Sequence, residues 1–320
     1  MVQHNVVLGI DTSNYTTSAA IYDLDTDKAI GQRKLLPVAM GQCGLRQSDA
    51  VFHHTRQLHQ VISSLFREID YKPVIKAVGV SSRPIDKDGS YMPCFSVGVN
   101  TANILGSALS VPVYNFSHQQ GHIAAAIYSS GTQYLYNREF IAFHVSGGTT
   151  EAVIVTPDND KIFRTRLAAR SLDLHAGQAV DRVGVRLGLS FPCGKELEKL
   201  ALSCTQSVKV KTCLKGCDCC LSGIENICAN LIEKGESKEL VAFTCLKFLS
   251  KTIGQMCSAV LEKYGQMPIL FAGGVMSNSI IRDDLSKKFD CIFAQPEFST
   301  DNACGTAVLA SLEYNREVHT

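Results

Sequence analysis

The chain contains the same short arrangement twice: an apolar segment, a small polar loop and a second apolar segment. Residues 6–10 and 19–22 flank the loop at 11–17, and residues 140–145 and 152–155 flank a loop of sequence Ser-Gly-Gly-Thr-Thr. Short apolar runs separated by turn residues predict strand hairpins. A hairpin of one design at the beginning of each half indicates an internal duplication, which constrains the fold to two related halves.

Helical periodicity elsewhere places each hairpin in an α/β arrangement. Helices are predicted at 47–66, 97–109, 178–187, 194–202, 240–264 and 304–314, and further buried strands at 77–81, 111–114 and 269–271. The 320 residues also exceed what one hydrophobic core usually holds, about 250 to 300 residues. We therefore predict two lobes.

The predicted N-terminal lobe comprises residues 1–116 and the C-terminal lobe residues 117–303, with the boundary at Phe116 and Ser117. On this division the second lobe carries the candidate metal and nucleotide motifs. The C-terminal segment 304–320 is expected to pack back on the first lobe.

The N-terminus has no basic segment, and its apolar run is broken by Asp11, so the sequence predicts neither a signal peptide nor a membrane helix. Thirteen cysteines are spread from Cys43 to Cys304. Without an export signal, most are expected to be reduced, buried small side chains. A cytoplasmic protein without a membrane partner is the expectation.

His118 and His122 open a predicted helix, and residues four apart lie on the same face of a helix. Two imidazoles on one face can bind a divalent metal, and a carboxylate would complete a site with open coordination positions. A pair of surface or capping histidines is the alternative. The candidate third ligand is Asp301, directly before the last helix, where aspartate is also a preferred N-cap.

Three loops of small residues are candidate phosphate or nucleoside sites: residues 11–17, residues 146–150 and residues 272–275. Backbone amides exposed in such turns can bind anions, and glycine allows a ligand to approach the backbone. Each loop taken singly is equally compatible with an ordinary tight turn.

Two compositional features leave alternatives open. Residues 161–216 contain eleven Lys and Arg against four Asp and Glu, which suits a phosphate-contacting surface or a solvated helical face. Cys213, Cys217, Cys219 and Cys220 are spaced closely enough to hold zinc or an iron–sulfur centre, or they are structural cysteines.

Eight stretches distributed over nearly the whole chain carry a more specific signal. They are residues 9–13, 118–122, 145–149, 177–183, 188–194, 221–224, 272–278 and 300–303. In this order they resemble the TsaD/Gcp family of tRNA threonylcarbamoyladenosine synthases, formerly described as O-sialoglycoprotein endopeptidases. The resemblance implies a two-lobed actin, hexokinase and Hsp70-like (ASKHA) fold with a duplicated ribonuclease-H-like core.

The resemblance also implies one divalent metal, iron or zinc, held by the catalytic residues His118, His122 and Asp301 in the cleft between lobes. An adenine nucleotide (ATP, AMP or a carbamoyl-adenylate) is expected across the loops, with the phosphates at residues 146–148, the ribose at Asp181 and the adenosine at Gly194 and Asn278. The expected nucleotide-binding residues are Asp11, Ser13, Ser146, Gly147, Gly148, Thr149, Asp181, Gly194, Gly273, Gly274 and Asn278.

The implied reaction transfers a threonylcarbamoyl group from its adenylate to adenosine in tRNA, with tRNA on the basic segment Lys161 to Lys215 and a TsaB-like partner on the N-terminal lobe. Peptidase activity is not expected, because no HExxH helix exists and neither Gln119 nor Gln120 can act as a base.

Four departures from the family pattern surround the expected substrate site. The residues after Ser13 lack an acidic pair, residues 83–93 replace a glycine- and proline-rich loop, and Thr149 and Gln178 replace a histidine and a glutamate. These changes suggest a divergent paralogue. The alternatives are a carbamoyl-adenylate-dependent transferase with another acceptor, or a non-catalytic TsaD-like partner subunit, although such partners lack the histidine pair.

Overall fold

A computed structural model describes residues 2–13, 15–37 and 45–318. Asn14 in the first loop, Cys43 and the last two residues of the C-terminal segment therefore lie outside the described residues.

The described elements alternate between strands and helices. The strands are β1 (Gln3–Asp11), β2 (Thr16–Asp23), β3 (Lys28–Leu35), β4 (Lys72–Arg83), β5 (Val113–Ser117), β6 (Phe140–Val145), β7 (Thr150–Pro157), β8 (Phe163–Arg170), β9 (Leu214–Lys215), β10 (Asp218–Cys219), β11 (Ile269–Ala272) and β12 (Cys291–Phe293). The α-helices are α1 (Gln47–Glu68), α2 (Phe95–Leu109), α3 (His118–Ser130), α4 (Ala176–Arg186), α5 (Gly194–Leu202), α6 (Gly223–Glu233), α7 (Lys238–Tyr264), α8 (Ser279–Ser286) and α9 (Cys304–Val318).

The first compact unit comprises Met1–Tyr136, Pro157–Arg164 and Glu297–Thr320. Its sheet has the strand order β3-β2-β1-β4-β5, in which β1, β2 and β3 are antiparallel and β4 and β5 run parallel to β1. Helices cover both faces of this sheet, and β1 is accordingly apolar on both sides. Val6, Leu8 and Ile10 join a core with α1 and α2, whereas Gly9 lies against α9.

The second compact unit comprises Asn137–Thr156 and Thr165–Pro296. Its sheet has the order β12-β11-β6-β7-β8, with β6 and β7 antiparallel and β11 and β12 parallel to β6. The core of this unit includes apolar residues of α4, α5, α6 and the long helix α7.

The two sheets have the same topology. In each, the first strand lies at the centre, the next two strands extend the sheet on one side and two later parallel strands extend it on the other. Each sheet begins with a hairpin that the sequence predicted. The internal repeat therefore involves a whole five-stranded sheet and not the hairpin alone.

The compact units differ from the division predicted at residue 116. Helix α3 follows β5 directly and packs on α9, so the first unit continues to Tyr136 and also includes the segment from Glu297. Consequently the histidine pair and Asp301 belong to the first unit, not to the second as predicted, and the segment 146–149 belongs to the second.

Candidate metal centre and nucleotide loops

Helix α3 begins at His118 because Ser117 caps it. The Ser117 hydroxyl accepts the Gln120 amide at 3.1 Å, and the Gln120 side chain accepts the Ser117 amide at 2.9 Å. This capping box fixes the first turn. His118 and His122 then lie one turn apart on the same face, with ring centroids 4.3 Å apart.

Helix α9 approaches α3 closely enough to bring Asp301 to that face. A Cβ atom on Gly305 would lie 1.8 Å from the Gly121 carbonyl oxygen and 2.7 Å from the Ala125 amide nitrogen. Two glycines therefore permit backbone contact between the helices. Asn302 accepts the Cys304 amide at 3.0 Å, and the Asp301 carboxylate faces the histidines.

His118, His122 and Asp301 converge on one point. The two Nε2 atoms are 2.9 Å apart, and Asp301 Oδ1 lies 3.5 Å from His118 Nε2 and 3.2 Å from His122 Nε2. Donors about 2.0 to 2.1 Å from a tetrahedral metal are separated by roughly 3.3 Å. Two imidazole nitrogens and a carboxylate oxygen at these distances therefore fit a divalent metal such as zinc or iron.

The charges at this point depend on one another. The pKa of His118 is raised to about 10, because the carboxylates of Asp11 and Asp301 outweigh the burial that disfavours the charged ring. Burial also opposes ionisation of Asp301, but hydrogen bonds and charge from His118 and His122 hold its pKa well below the usual range. Because a metal requires a neutral imidazole nitrogen, its binding would release the His118 proton.

Asp11 lies behind His118 at the carboxyl end of β1. It is 1% exposed, and its Oδ2 atom lies 2.8 Å from His118 Nδ1 and 2.6 Å from the Ser81 hydroxyl. Its Oδ1 atom accepts the Ser13 amide at 2.8 Å. These bonds hold the pKa of Asp11 below its usual value although burial opposes ionisation. The sequence did not single out Ser81; its only sequence signal is its position near the carboxyl end of the strand beside β1.

The predicted loop in the second unit joins β6 to β7. The Ser146 amide donates to the Thr149 carbonyl at 2.7 Å, and the Ser146 hydroxyl accepts the amides of Gly148 and Thr149. A Cβ atom on Gly177 would lie 2.6 Å from the Gly147 amide nitrogen, so the first turn of α4 contacts this loop. Among the described residues other than the immediate chain neighbours, no atom lies within 4 Å of a Cβ built on Gly147 or Gly148, which leaves space for a ligand.

The other expected nucleotide residues have identifiable positions in the second unit. Asp181 accepts the Cys193 amide at 2.9 Å, which brings it beside Gly194 at the start of α5, and burial raises its pKa. Gly273 has φ 99° and a Cβ there would lie 2.3 Å from the Val145 carbonyl oxygen, so this glycine adjoins the segment before Ser146. These contacts connect four of the motif stretches in two pairs, 177–183 with 188–194 and 145–149 with 272–278.

Asn278 caps α8, since its side chain accepts the Ile281 amide at 3.2 Å. Gly274, by contrast, has room for a side chain, since a Cβ built there has no atom within 4 Å in the part of the chain that the structure describes, its two neighbours aside. Asn278 therefore has a structural contact besides the nucleotide contact expected from the sequence.

Asp173 was not singled out from the sequence. Its carboxylate accepts the Leu221 amide at 2.7 Å, the Ser222 hydroxyl at 2.6 Å and the Leu174 amide at 2.6 Å. Although burial acts in the opposite direction, these bonds lower the pKa of Asp173 to about 2. One carboxylate thus holds the segment at 221–222 to the start of α4.

The four clustered cysteines do not converge. Among the described residues, two groups of at least three His, Cys, Asp or Glu place one ligand atom each within 4.8 Å of the others: His118 with His122 and Asp301, and His4 with Asp23 and Asp25. The four cysteines around the hairpin β9–β10 belong to neither group. Cys219 is instead buried among apolar residues. All eleven Lys and Arg between residues 161 and 215 are exposed.

Comparison with known protein families identifies the chain. Residues 42–308 match the model of the TsaD family, described as tRNA N6-adenosine threonylcarbamoyltransferase. The chain belongs to the TsaD family. The resemblance drawn from the eight sequence stretches is confirmed.

A curated relative agrees with this assignment. The "Probable bifunctional tRNA threonylcarbamoyladenosine biosynthesis protein" of Thermoplasma volcanium is 26% identical over 300 residues, which cover 93% of this chain and 54% of the relative. The chain therefore spans about half the length of that relative.

Solved structures show the same fold. HypF of T. kodakarensis has a TM-score of 0.59 and 12% identity, with 99% of this chain and 48% of HypF covered. A ROK hexokinase of Thermus thermophilus has a TM-score of 0.52 and 15% identity, with 97% and 99% covered. Component A of the (R)-2-hydroxyglutaryl-CoA dehydratase of Acidaminococcus fermentans has a TM-score of 0.53 and 14% identity, with 97% and 99% covered. The predicted two-lobed ASKHA fold is confirmed.

Within the described ranges, no helix is both long enough and apolar enough to cross a membrane.

Proposed function

We propose that the TsaD-family chain transfers a threonylcarbamoyl group from threonylcarbamoyl-adenylate to the adenosine beside the anticodon of tRNA that decodes ANN codons. The N6 amine attacks the carbamoyl carbon, the bond from that carbon to the AMP phosphate oxygen breaks, AMP leaves with the electron pair, and N6 loses a proton. The observation that carries the proposal is the convergence of His118, His122 and Asp301 in a chain of this family.

The three converging side chains are proposed to hold one divalent metal, zinc or iron. The donor set supports this assignment, because imidazole nitrogen and carboxylate oxygen suit both metals and the spacing of the atoms matches one coordination shell. Three protein ligands also leave positions open for substrate oxygens. When bound, the metal would act as a Lewis acid on a carbamoyl or phosphate oxygen.

The loops of the second unit are proposed to hold the adenylate. Ser146, Gly147 and Gly148 would face its phosphate, and Asp181 its ribose hydroxyls. The open space at Gly147 and Gly148 and the contact of Gly177 with this loop support the proposal, since glycine allows a phosphate to approach the backbone. Gly194 would contact the adenosine from its position beside Asp181.

The proposed acceptor surface is the basic segment that includes Arg166, Arg170, Arg182 and Arg186. Its exposed guanidinium groups suit phosphate contacts, which dominate the affinity of proteins for nucleic acids and depend on salt. Arg182 is partly engaged, because it contacts Glu225 at 2.7 Å.

The test is transfer in vitro with purified threonylcarbamoyl-adenylate and a defined tRNA, compared with the same tRNA in which guanosine replaces the acceptor adenosine. We expect the chain to modify only the adenosine-containing tRNA. The variant His118→Ala should lose more than about 100-fold in rate, because it removes a metal ligand outright. His59→Ala, at an exposed helix position, is the matched control and should retain full activity.

A chain that binds metal and adenylate but modifies neither tRNA would contradict the proposal. In that case, transfer to small alcohols or amines would indicate a carbamoyl-adenylate-dependent transferase with another acceptor. Thr149 and Gln178, which depart from the family pattern, are the changes that favour this second function.

A further inference from the structure

The carboxylate of Asp11 lies at the centre of a buried polar network that joins four elements of the first unit. It contacts His118 at the start of α3, Ser81 on β4 and the Ser13 amide after β1. The Ser81 hydroxyl in turn lies 3.2 Å from the Thr306 hydroxyl on α9. Ser81 and Thr306 are each 0% exposed, so these groups are satisfied by one another and not by bulk solvent.

The chemistry of the groups fixes where the protons lie. An ionised carboxylate only accepts hydrogen bonds, so the Ser81 hydroxyl and the His118 Nδ1–H both donate to Asp11 Oδ2. Because the single Ser81 proton is used in this bond, the Thr306 hydroxyl donates to Ser81. The direction of every bond in the network therefore follows from the charge on Asp11.

A proton on His118 Nδ1 determines the role of the other ring nitrogen. In the neutral imidazole one nitrogen is a donor and the other carries a lone pair. With Nδ1 protonated, the lone pair lies on Nε2, the atom that faces His122 and Asp301. The network thus selects the tautomer that can bind a metal and also fixes the orientation of the ring.

We propose that Asp11 is a positioning residue that holds His118 in the metal-binding tautomer through its Nδ1–H, with Ser81 in turn fixing the carboxylate of Asp11. This rests on the metal site of the proposed function. It assigns Asp11 to a histidine and not to the nucleotide, which was the role expected from its place in the first small-residue loop.

The test compares Asp11→Asn with Asp23→Asn. An asparagine at residue 11 can direct its NH₂ group toward His118 and Ser81, or toward the Ser13 amide. All three of these partners are hydrogen-bond donors in the wild type, so in either orientation the NH₂ group faces another donor. Asp23 is the matched control, because its Oδ2 atom contacts His4 Nδ1 at 2.6 Å in the same sheet. Asp23 is the last residue of β2, and Thr16, whose hydroxyl contacts Asp301 at 3.4 Å, is the first. The two residues are roughly 23 Å apart along the strand, so Asp23 is remote from the metal site.

Zinc and cobalt affinities are measured by competition with a chelator, and the His118 tautomer is read by long-range ¹H–¹⁵N correlation in ¹⁵N-histidine protein, assigned with His118→Gln. We expect Asp11→Asn to lower the affinity about 10- to 100-fold, as other partners of metal-binding histidines do. In the zinc-bound wild type, where His118 is neutral, the ring should carry its proton on Nδ1, and Asp11→Asn should shift or broaden that Nδ1–H signal because the carboxylate acceptor is lost. Asp23→Asn should leave both measurements at this site unchanged.

Wild-type zinc affinity and an unchanged Nδ1–H signal in Asp11→Asn would overturn the proposal. If this variant does not fold, Ser81→Ala decides, because it removes one donor to Asp11 and leaves His118 intact. A reproducible loss of several-fold in zinc affinity supports the inference, and an unchanged affinity overturns it.

The outcome is separable from that of the proposed function. A wild-type chain that binds zinc through His118 but transfers no threonylcarbamoyl group would contradict the proposed reaction, and the effect of Asp11→Asn on zinc binding would still support the positioning role. A wild-type chain that binds no divalent metal would overturn both proposals.

Discussion

The contact between Gly121 and Gly305 makes a quantitative prediction for the metal site. In the variant Gly305→Ala the new Cβ would lie 1.8 Å from the Gly121 carbonyl oxygen, whereas such contacts essentially never fall below 3.0 Å. Helices α3 and α9 must therefore separate by about 1.2 Å at this point. Both obstructing groups are backbone atoms, so no side-chain rotation can relieve the contact.

This displacement acts directly on the ligands. His118 and His122 flank Gly121 on α3, and Asp301 lies four residues before Gly305. Separations of 3.2 and 3.5 Å between Asp301 Oδ1 and the two Nε2 atoms would rise to as much as roughly 4.4 and 4.7 Å, compared with about 3.3 Å for donors that share one metal.

We expect Gly305→Ala to lower zinc affinity by about 100-fold, equivalent to about 2.8 kcal/mol. The free energy of unfolding should fall by about 1 to 3 kcal/mol, as for other overpacked sites. Chelator competition measures the affinity, and denaturant unfolding of the metal-free protein measures the stability separately.

Gly223→Ala is the control for the loss of a glycine. Gly223 begins α6, and no described residue beyond its chain neighbours lies within 4 Å of a Cβ built there. Alanine should therefore leave zinc affinity unchanged and alter stability by less than about 1 kcal/mol. If Gly305→Ala binds zinc like the wild type, the contact between α3 and α9 does not set the ligand spacing and the reasoning fails.

Two further predictions concern the second unit. Asp173→Asn should destabilise the chain by roughly 1 kcal/mol at pH 7, a value discounted for solvent exposure of the carboxylate. The pKa of Asp173 is about 2 in the folded state and 3.8 in the unfolded state. The difference in unfolding free energy between wild type and variant should therefore be fully present above pH 3.8 and disappear as the pH falls toward 2. Urea unfolding at several pH values measures it. Gly177→Ala should displace the Gly147 backbone, since the new Cβ would lie 2.6 Å from the Gly147 amide nitrogen. Calorimetry should then show that adenylate affinity falls about 10-fold or more while zinc affinity is retained. Equal loss of both affinities would instead indicate a general folding defect.

The accuracy of the sequence predictions differs between elements. The strand at 140–145 and the helix at 194–202 match β6 and α5, because their apolar patterns are strong and glycine marks one boundary of each, after β6 and at the start of α5. The exposed edge strand β3 was not predicted. Much of it is solvent-exposed, so its sequence lacks the apolar alternation that identifies a half-buried strand.

At the candidate site, too, the sequence showed local relations between residues but not contacts between distant parts of the chain. The sequence placed His118 and His122 on one helical face, since that relation depends only on local geometry. It offered a helix N-cap as a strong alternative explanation for Asp301. The structure assigns the Cys304 amide to Asn302 and directs the Asp301 carboxylate to the histidines.

The sequence by itself determined the repeated hairpins, the alternation of strands and helices, the spacing of the histidine pair and membership of the TsaD family. These properties follow from local periodicity and from motifs that are contiguous in the chain. Tertiary structure decided how Asp301, which the sequence assigned to the site only through the family resemblance, contacts His122 across more than half of the chain, and that Asp11 contacts His118. Both contacts arise because parallel strands end together and because α3 and α9 touch through glycines, and neither packing relation is encoded in the spacing of residues along the chain.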